Sequence, residues 1–258
     1  MKKAGLGSYK SQGFEKWAKN FDANSFTEKS TQRTQRIMNW IQSQTGPFEK
    51  LSILDIGAAS GIFSIPFAKT GAKVTSLEPS KILAEMLSKN ANHFNVDVDV
   101  INDEFESINP SKIKQYDLVF ASMCPVFMDW ESVSKAINLS KKYVYISLMA
   151  GSKKNSLTEE LIDHLNLDGN NEVLDMYYLT QILYFKDYEY QTLIEYQEKQ
   201  EEMHISNIIK NLETWFIDYK IKLSDEDKEK CIEYLKLNYG EYIKVTTGGK
   251  FGKVLICK

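Results

Sequence analysis

Ile53-Leu54-Asp55-Ile56-Gly57-Ala58-Ala59-Ser60-Gly61, with Glu78 at the end of the next apolar run, is the stretch whose reading decides the fold of this 258-residue chain. Ile53 and Leu54 lead into a turn where Gly57 and Gly61 carry no side chain, so a ligand can come close to the backbone. After the turn, Ile62, Phe63, Ile65, Phe67 and Ala68 read as the buried face of a helix. Strand, glycine turn and helix open a βαβ unit of the nucleotide-binding kind. The second strand is Lys73-Val74-Thr75-Ser76-Leu77, and Glu78 stands at its tip, where an acidic side chain accepts hydrogen bonds from ribose hydroxyls.

What the turn lacks narrows the ligand. A pyrophosphate-binding G-x-G-x-x-G begun at Gly57 requires glycines at 59 and 62, but this chain has Ala59 and Ile62. Asp55 places a carboxylate beside the turn, which repels phosphate and attracts an ammonium group. The Gly-Lys-Ser/Thr ending of a Walker A loop is also absent. These residues outline a pocket for a nucleoside without phosphate and with an amino-acid tail, as in S-adenosylmethionine. The competing reading, a turn whose glycines only permit tight packing, leaves Asp55 and Glu78 without a role.

Period and punctuation place the rest. Phe14, Trp17 and Phe21 mark an N-terminal apolar segment. A polar helix follows from about Thr27 to Gln44, with Ile37, Met38, Trp40 and Ile41 on its apolar side, and Gly46-Pro47 ends it. Strands are expected at 51–56, 73–78, 97–101, 116–122 and 142–149, and helices at 61–70, 80–91 and 130–140. That alternation argues for an α/β chain with a parallel sheet and helices on both faces.

Beyond Gly151, residues 155–171 read as polar loop with a short helix around Leu157 to Leu165. Asn171 to Lys186 has helical spacing, and Tyr188 to Tyr196 alternates as a strand. Two helices fill 203–239, the second opened by Ser224 with Asp227 three residues on. Thr247-Gly248-Gly249-Lys250 reads as a hairpin turn before a closing strand at Lys253 to Cys257.

The stretch from Ile53 to Gly151 resembles the class I S-adenosylmethionine-dependent methyltransferases. Their first motif, an acid followed by a glycine and small-residue turn, is matched by Asp55-Ile56-Gly57-Ala58-Ala59-Ser60-Gly61, and their second-strand acid by Glu78. Val100-Ile101-Asn102-Asp103-Glu104-Phe105 matches the segment after strand three, where an acid contacts the adenine amino group beside a ring-contacting backbone amide; Asp103 takes that role. Tyr116 to Met123 matches strand four, whose end lies under the methyl donor.

The resemblance implies a Rossmann-like, seven-stranded, mostly parallel sheet with helices on both faces, an N-terminal helical extension and a helical insertion before the last strand. It assigns cofactor contacts to Asp55, Gly57, Ala58, Ala59, Gly61, Glu78, Pro79, Asp103, Glu104, Phe105 and Ser122. The cofactor is S-adenosylmethionine and its product S-adenosylhomocysteine. Ala59 departs from the family, many of whose members have glycine there. On this reading residues 1–46 form a helical cap and 47–258 the methyltransferase domain, with a helical lid at 203–239.

Net charge of -3 provides no general attraction to nucleic acid or to an anionic membrane. Residues 1–50 are a local exception, with nine Lys/Arg against four Asp/Glu, and read either as a solvated helical face or as a nucleic-acid patch. Three widely spaced cysteines without a C-x-x-C pair argue for a reducing compartment, free thiols and no metal site. No apolar run approaches a membrane span or signal peptide, so the expected location is the cytoplasm.

The acceptor is less legible. Trp215, Phe216, Tyr219, Tyr234 and Tyr239, with Phe14 and Trp17, either line an acceptor pocket or pack helices; a partly aromatic cavity favours a small-molecule acceptor. The segment after strand four, Ser122-Met123-Cys124-Pro125, lacks the Asn/Asp-Pro-Pro-Tyr/Phe of relatives that methylate nucleic-acid bases or glutamine. Cys124 reads as a nucleophile, a soft metal contact or a packing residue, and Asp129 as a base or a helix cap. No catalytic residue is assigned. The alternatives to a small-molecule methyltransferase are an RNA- or protein-directed enzyme and a noncatalytic S-adenosylmethionine-binding module.

Overall fold

The computed structural model describes residues 18–127 and 129–258. Phe14, Trp17 and the basic Lys2, Lys3, Lys10 and Lys16 lie outside them. The described residues begin with two helices, α1 (Ala18–Ser25) and α2 (Glu28–Thr45). Thr27 caps α2 by accepting from Ser30 N, and Gly46 ends it at φ +78°, its N–H returning to Gln42 O. Ile37, Met38 and Ile41 are buried on one face, as their spacing requires.

The alternating region runs β1 (Ser52–Ile56), α3 (Ser64–Lys69), β2 (Lys73–Leu77), α4 (Lys81–His93), β3 (Val98–Ile101), β4 (Tyr116–Ser122) and α5 (Trp130–Leu139). It continues with β5 (Ser140–Asn155), α6 (Ser156–His164), α7 (Asp175–Phe185), β6 (Glu189–His204), α8 (Ile205–Asp218), α9 (Asp225–Asn238) and β7 (Tyr242–Cys257). Among the described residues the sheet has seven strands in the order β3-β2-β1-β4-β5-β7-β6. β1 pairs in parallel with β2 and β4, β2 with β3, and β4 with β5. β7 runs against β5, since Lys258 N bonds Lys142 O while Gly249 lies at Ser152 and Lys153.

The chain divides into two compact units. One comprises the chain up to Leu148 with Leu179–Thr192 and Lys253–Lys258; the other is Met149–Tyr178 with Leu193–Gly252. In the first, Phe63, Phe67, Phe120 and Tyr145 bury their rings together with Ile53, Leu118 and the α2 residues, and Phe120 stacks on Tyr145 with centroids 4.7 Å apart. In the second, Leu157, Leu161, Ile208, Leu212, Phe216, Cys231 and Leu235 of α6, α8 and α9 close a separate core on Ile243 and Val245 of β7. That unit is larger than the 203–239 segment read as an insertion.

Gly248 and Gly249 do not form a hairpin. They lie inside β7, which runs unbroken for 16 residues. A Cβ on Gly248 stands 2.5 Å from Gln197 O of β6, and one on Gly249 stands 3.0 Å from Met149 Cε of β5. The glycines admit close neighbours on either side of the strand, a non-local demand. Gly248→Ala is therefore expected to destabilise by about 1 to 3 kcal/mol, because the obstruction is backbone; Gly249→Ala, facing a flexible Met149, costs less. Denaturant titration checks both, and equal stability of Gly248→Ala and the parent contradicts this account.

Candidate functional site

β1 has β2 on one side and β4 on the other, so the connections leaving β1 and β4 diverge and a crevice opens at their carboxyl ends. The turn after β1 fills that position. Gly57 N–H and Ala58 N–H both donate to Leu77 O, at 2.9 and 3.2 Å, and Gly61 N–H donates to Ala58 O at 2.9 Å. Three residues of the turn sit at positive φ: Gly57 at +72°, Ala59 at +49° and Gly61 at +93°.

Glu78 holds this turn in place. Its Oε2 accepts from Ala59 N at 2.8 Å and its Oε1 from Ser80 N at 2.9 Å, while only 4% of the residue is exposed. Ala59 takes a left-handed conformation that costs a non-glycine residue about 1 kcal/mol, and a charge-assisted hydrogen bond offsets it. Burial pushes the Glu78 carboxyl above the ordinary range, opposed by the Ser80 and Ala59 amides. Each oxygen binds one amide and retains lone-pair capacity for a further donor.

Asp55, 2% exposed, lies beside it at the end of β1. Its Oδ2 accepts from Ser64 Oγ at 2.5 Å. Burial pushes its pKa up to about 7; the Ser64 bond pulls it down and Glu78 pushes it up. From the end of β4, Cys124 reaches the same place. Its Sγ lies 2.8 Å from where a Cβ on Gly57 would stand.

Residues 53–143 match the family described as the methyltransferase domain. Those residues carry a methyltransferase domain. A ubiquinone biosynthesis O-methyltransferase of Methylobacterium nodulans is 35% identical over 75 residues, which is 29% of this chain and 30% of that protein. The chain thus aligns with about a third of that relative's length. Among solved structures, the magnesium protoporphyrin IX methyltransferase of Synechocystis PCC 6803 with bound S-adenosylhomocysteine has a TM-score of 0.52 at 15% identity, covering 72% of this chain and 89% of that one. The YcgJ protein of Bacillus subtilis has a TM-score of 0.53 at 14% identity, covering 87% and 98%. At such identities these two show the fold alone.

Within the methyltransferase domain the remaining expected site residues are placed as follows. Asp103 is exposed, and its Oδ1 accepts from Glu104 N and Ser107 Oγ within its own loop. Phe105 is buried against Phe127 with centroids 5.6 Å apart, and Lys135 Nζ bonds its carbonyl. Ser122 Oγ lies 3.2 Å from Ser147 Oγ, which also accepts from Met123 N. Pro79 O, with Glu78 O, accepts from the Asn102 side-chain amide.

Asn102 was not singled out from the sequence, although it ties the end of β3 to the Glu78 segment. Its signal in the sequence is a polar amide directly after the β3 apolar run and before Asp103. Asn90 was also passed over. It donates to Asp22 Oδ1 and Ser60 O, and Ser25 Oγ meets Ser60 Oγ at 2.9 Å, so α1 and α4 together secure the turn.

The turn glycines also meet a structural demand. The space beside Gly57 on its Cβ side is held by Cys124, and that beside Gly61 by Ile65 and Leu87. These glycines are required by positive φ and by close packing on that side. Cys124 itself remains a thiol, pushed up to about 12 chiefly by burial, with Glu78 and Asp55 adding to the rise. It packs against the turn. Asp129 caps α5, its Oδ1 accepting from Ser132 N.

The aromatic residues of 203–239 are taken up within the second unit. Phe216 is fully buried, Tyr219 hydroxyl bonds Glu159 and Asn155 N, and Tyr234 and Tyr239 both donate to Glu160. Ser224 and Asp227 form the expected capping box. Among the described residues no helix is long and apolar enough to cross a membrane.

Proposed function

We propose that this chain transfers a methyl group from S-adenosylmethionine to a small-molecule acceptor. The observation that carries this reading is the pair of buried carboxylates, Asp55 and Glu78, on either side of a positive-φ turn at the β1/β4 switch point. The donor set fits the cofactor. Glu78, with one lone-pair site per oxygen beyond its amide bonds, suits the paired ribose hydroxyls, and Asp55 suits the ammonium of the amino-acid end. A phosphate ligand would meet two carboxylates in a low-dielectric pocket and be repelled.

Asp103 and the Phe105 backbone are assigned to the adenine side, and Ser122 with Met123 to the donor's reacting end. Ala58, Ala59, Gly61, Pro79 and Glu104 shape the surrounding wall. When bound, S-adenosylmethionine supplies a sulfonium-activated methyl group. The protein's own contribution is to orient the acceptor and exclude water. The relative that shares 35% identity over 75 residues, a ubiquinone biosynthesis O-methyltransferase, supports a small acceptor. Incubation with a methyl-labelled donor and the small-molecule fraction of a host lysate tests this: label is expected in a compound below about 1 kDa, and label only in RNA or protein contradicts it.

A further inference from the structure

Behind the Asp55 carboxyl runs a chain of hydroxyls. Ser76 Oγ donates to Ser64 Oγ at 2.7 Å, and Ser64 Oγ donates to Asp55 Oδ2 at 2.5 Å. The three residues are between 0 and 2% exposed. They come from three elements: Ser76 is the cross-strand partner of Asp55 in the β1–β2 ladder, and Ser64 opens α3. A hydroxyl bonds a carboxylate more strongly than a neutral carboxyl, so two hydroxyls pointed in series at one acid favour its charged form.

We propose that Ser64 and Ser76 are positioning residues that prepare Asp55 to receive the cationic amino-acid end of the donor as a carboxylate, coupling donor binding to release of the Asp55 proton to solvent. This inference rests on the site being an S-adenosylmethionine site. The donor brings a positive charge, which favours the ionised acid, and the Ser64 hydroxyl bonds that form. Facing Asp55 from the neighbouring elements are Glu78, from the segment after β2, whose charge opposes ionisation, and Cys124, from the segment after β4, which remains a neutral thiol.

The direction follows from these groups. Asp55 of the ligand-free protein has a pKa of about 7, so below neutrality it carries a proton that the donor must displace. Affinity is then expected to fall by about tenfold for each pH unit below 7 and to level off above it. Removing the Ser64 hydroxyl raises the Asp55 pKa by about one pH unit or more, from the usual strength of a hydrogen bond to a charged group. The acid limb moves to higher pH accordingly, and at pH 7 Ser64→Ala binds about fivefold more weakly than the parent, a gap that closes as pH rises. Ser76→Ala shifts the limb the same way by less.

Two measurements on the full chain test it. The first is a carbon-13 titration of the aspartate carboxyls in the ligand-free protein, with Asp55→Asn identifying the signal; the second is calorimetry with S-adenosylhomocysteine from pH 5.5 to 9 in two buffers of different ionisation enthalpy. Expected are an Asp55 midpoint near 7 that rises in Ser64→Ala, and uptake by buffer of close to one proton per ligand at pH 6. An Asp55 midpoint that Ser64→Ala leaves unmoved overturns the hydroxyl chain, whatever the ligand does. Binding that is equally tight across the pH range overturns the coupling while leaving the cofactor assignment standing. Absence of binding at every pH removes the cofactor assignment and the coupling with it, even if the midpoint shifts. Thermal melting of both serine variants at pH 5.5 separates these results from loss of fold.

Discussion

Glu78→Ala is expected to weaken S-adenosylmethionine binding by about 2 to 3 kcal/mol, which is roughly 30- to 150-fold in affinity. The size comes from two sources that the proposed site joins at one side chain. Hydrogen bonds from ribose hydroxyls to a buried carboxylate are charge-assisted and are lost outright. In addition, Ala59 N and Ser80 N lose their acceptor, so the left-handed turn is no longer held for the ligand. Glu78→Gln separates the sources: it keeps the volume and one acceptor oxygen, but turns an NH2 group toward a backbone N–H, so it should fall between parent and alanine. Calorimetry reads the series. An alanine variant that binds as tightly as the parent removes Glu78 from the site.

Gly57→Val is expected to cost about 4 kcal/mol of folding stability, adding backbone strain at φ +72° to overpacking against Cys124. A glycine kept only for ligand approach predicts a stable, non-binding variant. The position of Cys124 Sγ alters that expectation, because the side chain collides inside the protein. Gly57→Ala shows the division of the cost. Combining it with Cys124→Ala should recover the steric part and leave the strain of the positive φ, so the two substitutions are expected to couple in a double-mutant cycle. Thermal and denaturant unfolding measure this; a Gly57→Val chain as stable as the parent contradicts the packing described.

Signals that act over a few residues were the ones the chain displayed openly. β4 was read at 116–122, its observed bounds, because an apolar run there is closed by Gln115 on one side and Cys124-Pro125 on the other. Of the two readings of Asp129, base or helix cap, the cap is the one seen, its side chain accepting from Ser132 N at the start of α5. Glu78 is legible as the acid at the tip of the second apolar run, since a parallel βαβ unit returns its second strand beside the first.

What was missed depends on residues far apart in sequence. Gly248-Gly249 imitates a turn locally, whereas the close approach of Gln197 and Met149 that requires the glycines is invisible until the strands are paired. The meeting of Gly57 and Cys124 is of the same kind. β6 was ended at Tyr196 because the alternating apolar pattern stops there, yet pairing continues to His204 through an exposed, charged stretch at the sheet's edge. In the site, the acids could be read as residue types at strand ends, but not the burial that raises them or the serines that bond them.

The central claim is that the crevice at the ends of β1 and β4 takes a phosphate-free adenosine with an amino-acid tail. Titrating the purified full chain with S-adenosylhomocysteine at pH 8, with NAD and ATP as competitors, tests this most directly. One molecule bound per chain and displaced by neither nucleotide is the expected result. Binding of NAD or ATP with no uptake of S-adenosylhomocysteine contradicts it.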